Sequence, residues 1–166
     1  MRRLIVGVIA SLLPLLLPAV VTADPGTEVR VEEGVYRSIS PSELEGMLRA
    51  KDFFLVNVHV PYAGEISKTD AFISYEDTAA RIGEYPLDKA AHIVLYCLGN
   101  HMSRIAVRDL LRLGYTNVSL LDGGMDGWRA AGFTLVHRDR PAPLPYPSAS
   151  AEPSPAVPET CGCSVE

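Results

Sequence analysis

The sequence predicts an α/β domain: a mostly parallel central sheet flanked by helices on both faces. Three observations predict it. The run Ile93-Val94-Leu95-Tyr96 is apolar and β-forming with no polar break, the pattern of a strand buried on both faces of a parallel sheet. After a short polar stretch the period changes, with Ile105, Ala106, Leu110 and Leu111 recurring at near-helical spacing from Ser103 and Gly114 supplying a stop. Phe53 to Val58 and Val118 to Leu121 repeat the strand signature on either side. At 166 residues and 48% hydrophobic composition, the chain can bury one proper core.

Both ends read differently from this centre. Arg2 and Arg3 precede an apolar run from Leu4 to Val21, broken only by Ser11, Pro14 and Pro18 and followed by Thr22-Ala23-Asp24-Pro25. Small residues at Val21 and Ala23 suit a signal peptidase, so residues 1–23 resemble a cleaved secretory signal. An uncleaved anchor and a twin-arginine signal are the competing readings; the absence of a cysteine near the site argues against a lipid-anchored lipoprotein. The expected location is periplasmic or secreted, with no membrane association after cleavage. Cleavage removes two of 15 basic side chains and none of 20 acidic ones, moving the net charge from −5 to −7. An acidic domain without a basic patch is a poor nucleic-acid binder, and that class is set aside.

Residues 24–34 are polar and poor in large apolar groups, and a flexible lead-in is expected before a domain spanning 35–138. Ser40-Pro41-Ser42-Glu43 opens a helix with a cap, a first-turn proline and a capping-box glutamate; Leu44, Met47 and Leu48 then form its apolar stripe. The strand Phe53 to Val58 delivers Asn57 and His59 to its C-terminal end, the edge where open parallel sheets bind ligands; structural hydrogen bonding is the favoured role for both. Pro61 to Asp70 is loop, Ala71 to Tyr75 a short strand, Glu76 to Tyr85 a helix, and Pro86 to Lys89 a turn into the central strand. After the strand ending at Leu121, Gly123-Gly124 makes a turn, Met125 to Ala131 a short helix closed by Gly132, and Phe133 to Val136 a last extended segment. Trp128 is expected to pack that helix on the sheet.

The chemistry centres on Cys97, which sits where the central strand ends. Free N–H groups and the positive dipole end at a helix start stabilise an anion lying over them, which favours the thiolate and makes it a better nucleophile than a free thiol. The plain alternative is a small buried residue at a strand end.

Three separated blocks tip that balance. Cys97-Leu98-Gly99-Asn100-His101-Met102-Ser103, then Leu113-Gly114-Tyr115, then Gly123-Gly124-Met125-Asp126-Gly127-Trp128-Arg129-Ala130-Ala131-Gly132 resemble the C-terminal half of a rhodanese domain, in order and at matching spacing. Upstream, Tyr36 to Leu44 and Phe54 to His59 fit the same pattern, so the resemblance covers about Val35 to Val136. It implies a sulfurtransferase in which Cys97 carries sulfane sulfur as a persulfide over a loop of Leu98, Gly99, Asn100, His101, Met102, Ser103 and Arg104. The implied partners are a sulfane-sulfur donor and a thiol acceptor, small molecule or protein, with no cofactor and no metal.

Departures from the family pattern refine that expectation. Members that handle thiosulfate carry arginines where this chain has Leu98 and Met102, so affinity for that dianion should be low and a neutral or protein-borne donor is favoured. Asn57 and His59 replace a charged Asp and Arg pair. Arg104, Arg108 and Arg112 share a helix face and read as a solvated row, with Arg104 near the loop; His101 reads as a loop residue able to favour the thiolate. Phosphatases on this scaffold place an arginine six residues past the cysteine. Here that residue is Ser103, which disfavours the reading.

Beyond residue 138 the composition changes, with seven prolines between Pro141 and Pro158, and 139–166 is expected to be a disordered tail. It ends in Cys161-Gly162-Cys163. These two thiols could relay or resolve sulfur from Cys97, form a strained and easily reduced disulfide, or bind copper(I) as a weaker reading. A non-catalytic binding module, or a thiol-redox or copper-handling protein using the Cys-Gly-Cys end, are the alternative functions.

Overall fold

A computed structural model describes residues 26–138. The signal-peptide reading of 1–23 and the tail reading of 139–166, with Cys161 and Cys163, lie outside the described residues.

The elements are β1 (Thr27–Val31), β2 (Gly34–Ile39), α1 (Pro41–Arg49), β3 (Phe54–Asn57), β4 (Ala71–Phe72), β5 (Ile93–Tyr96), α2 (His101–Arg112), β6 (Val118–Leu121) and α3 (Gly124–Ala130), with single 3-10 turns at Tyr75–Asp77 and Ile82–Glu84. They build one six-stranded sheet in the order β1-β2-β6-β5-β3-β4. Only the β1–β2 hairpin is antiparallel; the other neighbours run parallel. The expected mostly parallel α/β sheet is therefore present, with β5 near its middle.

Alternation along the strands divides the core in two. Val56, Val58, Ile93, Leu95 and Cys97 face α2 and pack with Ala106, Val107 and Leu110. Leu55, Val94 and Tyr96 face the other way, against Leu44 and Leu48 of α1 and Met125 and Trp128 of α3. Every residue of β5 is buried, which explains its unbroken apolar sequence. On the α1 side the Tyr96 hydroxyl accepts from the Ile66 N–H at 3.1 Å and meets Thr69 Oγ1 at 2.6 Å, so the one polar atom this strand buries there is satisfied.

The capping box forms as expected. Ser40 Oγ accepts from the Glu43 N–H at 3.3 Å and Glu43 Oε2 from the Ser40 N–H at 2.6 Å. Those bonds, the Ser40 backbone first, hold the Glu43 carboxyl below its ordinary pKa.

Several expectations are corrected. The described part of the flexible lead-in is the outer strand β1, because Thr27-Glu28-Val29-Arg30-Val31 alternates at period two and puts Val29 and Val31 against the core. The helix expected over Glu76 to Tyr85 is replaced by two 3-10 turns; with Ile82 its one large apolar side chain before Tyr85, that segment has no stripe to hold a helix against the sheet. The short strand near Ala71 stops at Phe72. Helix α2 starts at His101 rather than Ser103, and the expected last extended segment makes a single antiparallel bridge, Val136 to Glu65. The arginine row is only partly solvated, since Arg108 and Arg112 both reach Glu33 and tie the β1–β2 turn to α2. Among the described residues no helix is long and apolar enough to cross a membrane.

Candidate active site

The parallel strands end at one edge, and the loop after β5 occupies it. Cys97 follows Tyr96 directly, and α2 begins only four residues later. Arg104 is the first α2 residue whose N–H is taken by a loop carbonyl, that of Asn100, at 3.1 Å. The N–H groups of a helix's first turn have no intrahelical partner, so amides are available beside the sulfur.

What orients the loop is α3. The Met125 N–H donates to the Cys97 carbonyl at 2.8 Å and the Asp126 N–H to the Leu98 carbonyl at 2.9 Å. Gly124, at φ +55°, lies under three carbonyl oxygens: a Cβ there would stand 2.3 Å from that of Gly99, 2.4 Å from that of Cys97 and 2.8 Å from that of Leu98. Three consecutive carbonyls thus turn toward α3. In a trans peptide the N–H points opposite to its C=O, so the N–H groups of Leu98, Gly99 and Asn100 turn away from α3 together. Successive amides aimed one way make an anion-binding concavity.

The Cys97 side chain lies on the α2 face and is buried, 2% exposed. Its Sγ is 3.4 Å from Ser103 Oγ, and the Ser103 hydroxyl also donates to the Asn100 carbonyl at 3.2 Å. Ser103 is fully buried. Its single proton has two acceptors in reach, so a neutral Cys97 can donate to Oγ, whereas a thiolate can accept from it. The sequence marks Ser103 only as a loop residue in the position where phosphatases carry arginine; its spacing six residues from Cys97 was the available signal for its side chain.

The remaining loop residues separate by environment. Leu98 packs on the α1 and α3 side and Met102 on the α2 side, so both are half-buried apolar supports. His101 and Arg104 are exposed. Asn100 donates to Asp122 Oδ1 at 2.8 Å, fastening the start of α2 to the end of β6, a link sequence alone did not reveal.

The Asn57 side chain takes structural bonds, as expected, whereas His59 takes part through its backbone N–H and not its ring. Asn57 donates to the Gly64 carbonyl at 3.0 Å and accepts from the His59 N–H at 3.0 Å, shaping the turn after β3. His59 is 8% exposed and its buried ring Nδ1 has no hydrogen-bond partner among the described residues. Burial holds its pKa below the ordinary histidine value, against the opposing pull of the Asp126 carboxylate. Trp128 is structural too, donating to the Thr134 carbonyl at 3.0 Å and lying 4.5 Å from the Phe133 ring. Among the described residues no group of three or more His, Cys, Asp or Glu side chains is placed to hold a metal.

Known proteins fit this arrangement. The chain is similar to the Alr3790 protein of Anabaena sp., at 26% identity over 60% of this chain and 82% of that one with a TM-score of 0.53. It is also similar to a rhodanese-related protein of Thermoplasma volcanium, at 23% over 61% and 98% with a TM-score of 0.52, and to the rhodanese-like domain of Alr3790 in solution, at 21% over 78% and 96% with a TM-score of 0.53. A comparison with curated proteins gives no match. Residues 41–131 match the Rhodanese-like domain family, a segment that holds the Cys97 loop, the helix over it and the Gly123-Gly124 turn beneath it. On that match, covering more than half of the sequence, the chain belongs to the rhodanese-like domain family.

Proposed function

We propose that this domain is a sulfurtransferase. The Cys97 thiolate attacks the outer sulfur of a sulfane donor, the donor's S–S bond breaks, and its thiolate leaves. Cys97 then holds that sulfur as a persulfide. A thiol acceptor attacks the outer sulfur in turn and frees the Cys97 thiolate. The amides of Leu98, Gly99 and Asn100 and the first turn of α2 hold the negative charge, and Ser103 swings its proton from the Asn100 carbonyl onto the sulfur. The observation that carries this reading is the clamp of α3 on three loop carbonyls, which turns the matching amides of the Cys97 loop away from α3 together.

No arginine flanks the cysteine where a dianionic donor would need one, and Asp122 and Asp126 stand exposed beside the loop. A neutral, monoanionic or protein-borne donor suits that surface better than thiosulfate. The secretory-signal pattern of residues 1–23 supports a periplasmic or secreted location for this activity. Sulfide release from a low-charge sulfane donor and a thiol, followed for the wild type and Cys97→Ser, tests the reading: turnover lost in the variant supports it, and equal turnover contradicts it.

One observation favours a second reading. A cysteine only 2% exposed as a residue is what a binding module that has given up turnover would show. In that case the wild type takes up no sulfur, and a partner binds equally well to Cys97→Ser.

A further inference from the structure

The six-stranded sheet has two outer strands, and they end it differently. β4 is two residues long, with Tyr62 set edge-on against its Phe72, and a strand so short offers little backbone for another chain to join. β1 is five residues long, contains no proline, and keeps one register against β2 from Thr27 to Val31 without a bulge. Among the described residues nothing pairs with its outer side. An open edge of that length is a template for a further strand.

The hairpin decides which groups face outward. Val31 and Gly34 pair across the two-residue turn Glu32-Glu33, which makes them a directly hydrogen-bonded pair. Such pairs recur every second residue along an antiparallel ladder, so Val29 with Tyr36 and Thr27 with Ser38 follow. The N–H and C=O groups of Glu28 and Arg30 therefore point away from β2, out of the sheet edge. The Glu28 and Arg30 side chains share one face, 58% and 80% exposed, and lie 3.7 Å apart. Val29 and Val31 lie on the other face, half-buried against the core that includes α2.

We propose that β1 is a self-pairing edge whose partner is β1 of a second copy, antiparallel about a twofold axis at Val29. In that register Glu28 of each copy faces Arg30 of the other. Each such pair exchanges both N–H···O=C bonds and sets opposite charges directly across from one another. On the other face the two Val29 side chains meet at the axis, at the closer spacing of a pair without hydrogen bonds. The order of the charges selects this register. A symmetric pairing centred one residue earlier sets Glu28 against Glu28, and one centred a residue later sets Arg30 against Arg30; like charges directly opposite disfavour both. Single-sign charge would blunt the edge against every copy, whereas alternating sign admits one arrangement. The pairing is independent of the chemistry assigned to Cys97.

The test follows the mass of the full chain by light scattering over a range of concentrations, with a thiol reductant present so that no disulfide joins two copies. The expected result is a reversible monomer–dimer equilibrium. Glu28→Arg, which sets arginine against arginine, should weaken it at least tenfold, and so should Arg30→Glu, which sets glutamate against glutamate. The chain carrying both exchanges regains opposite charges and should dimerise as the wild type does. An equimolar mixture of the two single variants should form a mixed dimer, because one copy then presents two arginines and the other two glutamates. Both side chains are largely exposed, and the doubly exchanged chain controls for any effect of the substitutions on the fold. In amide hydrogen exchange the Glu28 and Arg30 N–H groups should lose protection as the protein is diluted. A chain that stays monomeric at every concentration overturns the proposal, as does association that neither single variant weakens. Protection of those two amides that is the same at every dilution overturns it too, since the edge is then covered within one copy.

Discussion

Ser103 shows how much chemistry one hydroxyl can carry. Its proton is shared between the Asn100 carbonyl and the Cys97 sulfur, and a hydrogen bond to a charged group is worth about 1.5–3 kcal/mol. Ser103→Ala should therefore slow sulfur uptake or alkylation of Cys97 roughly tenfold to hundredfold, while thermal unfolding shows a folded domain; unchanged rates would remove the hydroxyl from the account. The cysteine itself was legible in the sequence, because a thiol between a strand pattern and a helix pattern has few other addresses. The hydroxyl was not. The sequence presents Ser103 only as a loop residue; the helix begins two residues earlier, at His101, so Ser103 sits inside the first turn of α2, where its hydroxyl meets the sulfur.

His59 makes a separate prediction at the same scale. Its pKa is held below the ordinary 6.5 chiefly by burial, so the unfolded chain takes up this proton at a higher pH than the folded one does. The stability tied to a neutral His59 is present above pH 6.5 and is lost as the pH falls through the folded-state value. Denaturant midpoints from pH 7 down to pH 5 should fall in the wild type, and His59→Gln should flatten part of that slope. Equal slopes would show that other groups set it.

At the scale of elements, the site is a joint between α2 and α3 across the end of β5. The Gly123-Gly124 pair reads in the sequence as a turn; Gly123 is the left-handed cap and Gly124 already opens α3, and the tighter requirement at Gly124 comes from three carbonyls of the Cys97 loop, 25 to 27 residues earlier. No local pattern encodes that crowding. Gly124→Ala combines a left-handed φ with a Cβ inside backbone contact distance, and should cost about 3 kcal/mol together with sulfur uptake; a variant with wild-type stability would contradict the clamp. The other misreadings have similar causes. Alternation in Thr27 to Val31 was outweighed by the polar composition of its surroundings, and residues 76–85 looked helical although they offer no apolar stripe. The strongly apolar strands and the capping box at Ser40 were legible because each is fixed by its own residues.

The molecule as a whole places α2 on one face, α1 and α3 on the other, and the loop at the edge between them. The segment Leu135 to Arg138 closes that edge, and its hold depends on Glu65, a fully buried carboxylate paired with Arg138. Since the arginine is half exposed, Arg138→Ala should cost about 1–2 kcal/mol, seen as a lower urea midpoint with an unchanged m-value; no change would mean that the ion pair with Glu65 adds nothing to the hold of this segment. This contact was hidden from the sequence because it joins residues 73 positions apart with no periodic signal at either end. The central claim concerns the sulfur that all these elements surround. The most direct measurement is the mass of the intact full-length chain after brief exposure to a low-charge sulfane donor, followed by peptide mapping. The account predicts one added sulfur atom on Cys97, removed by a thiol reductant and absent from Cys97→Ser. A chain that gains no sulfur there, with its fold intact, would contradict it.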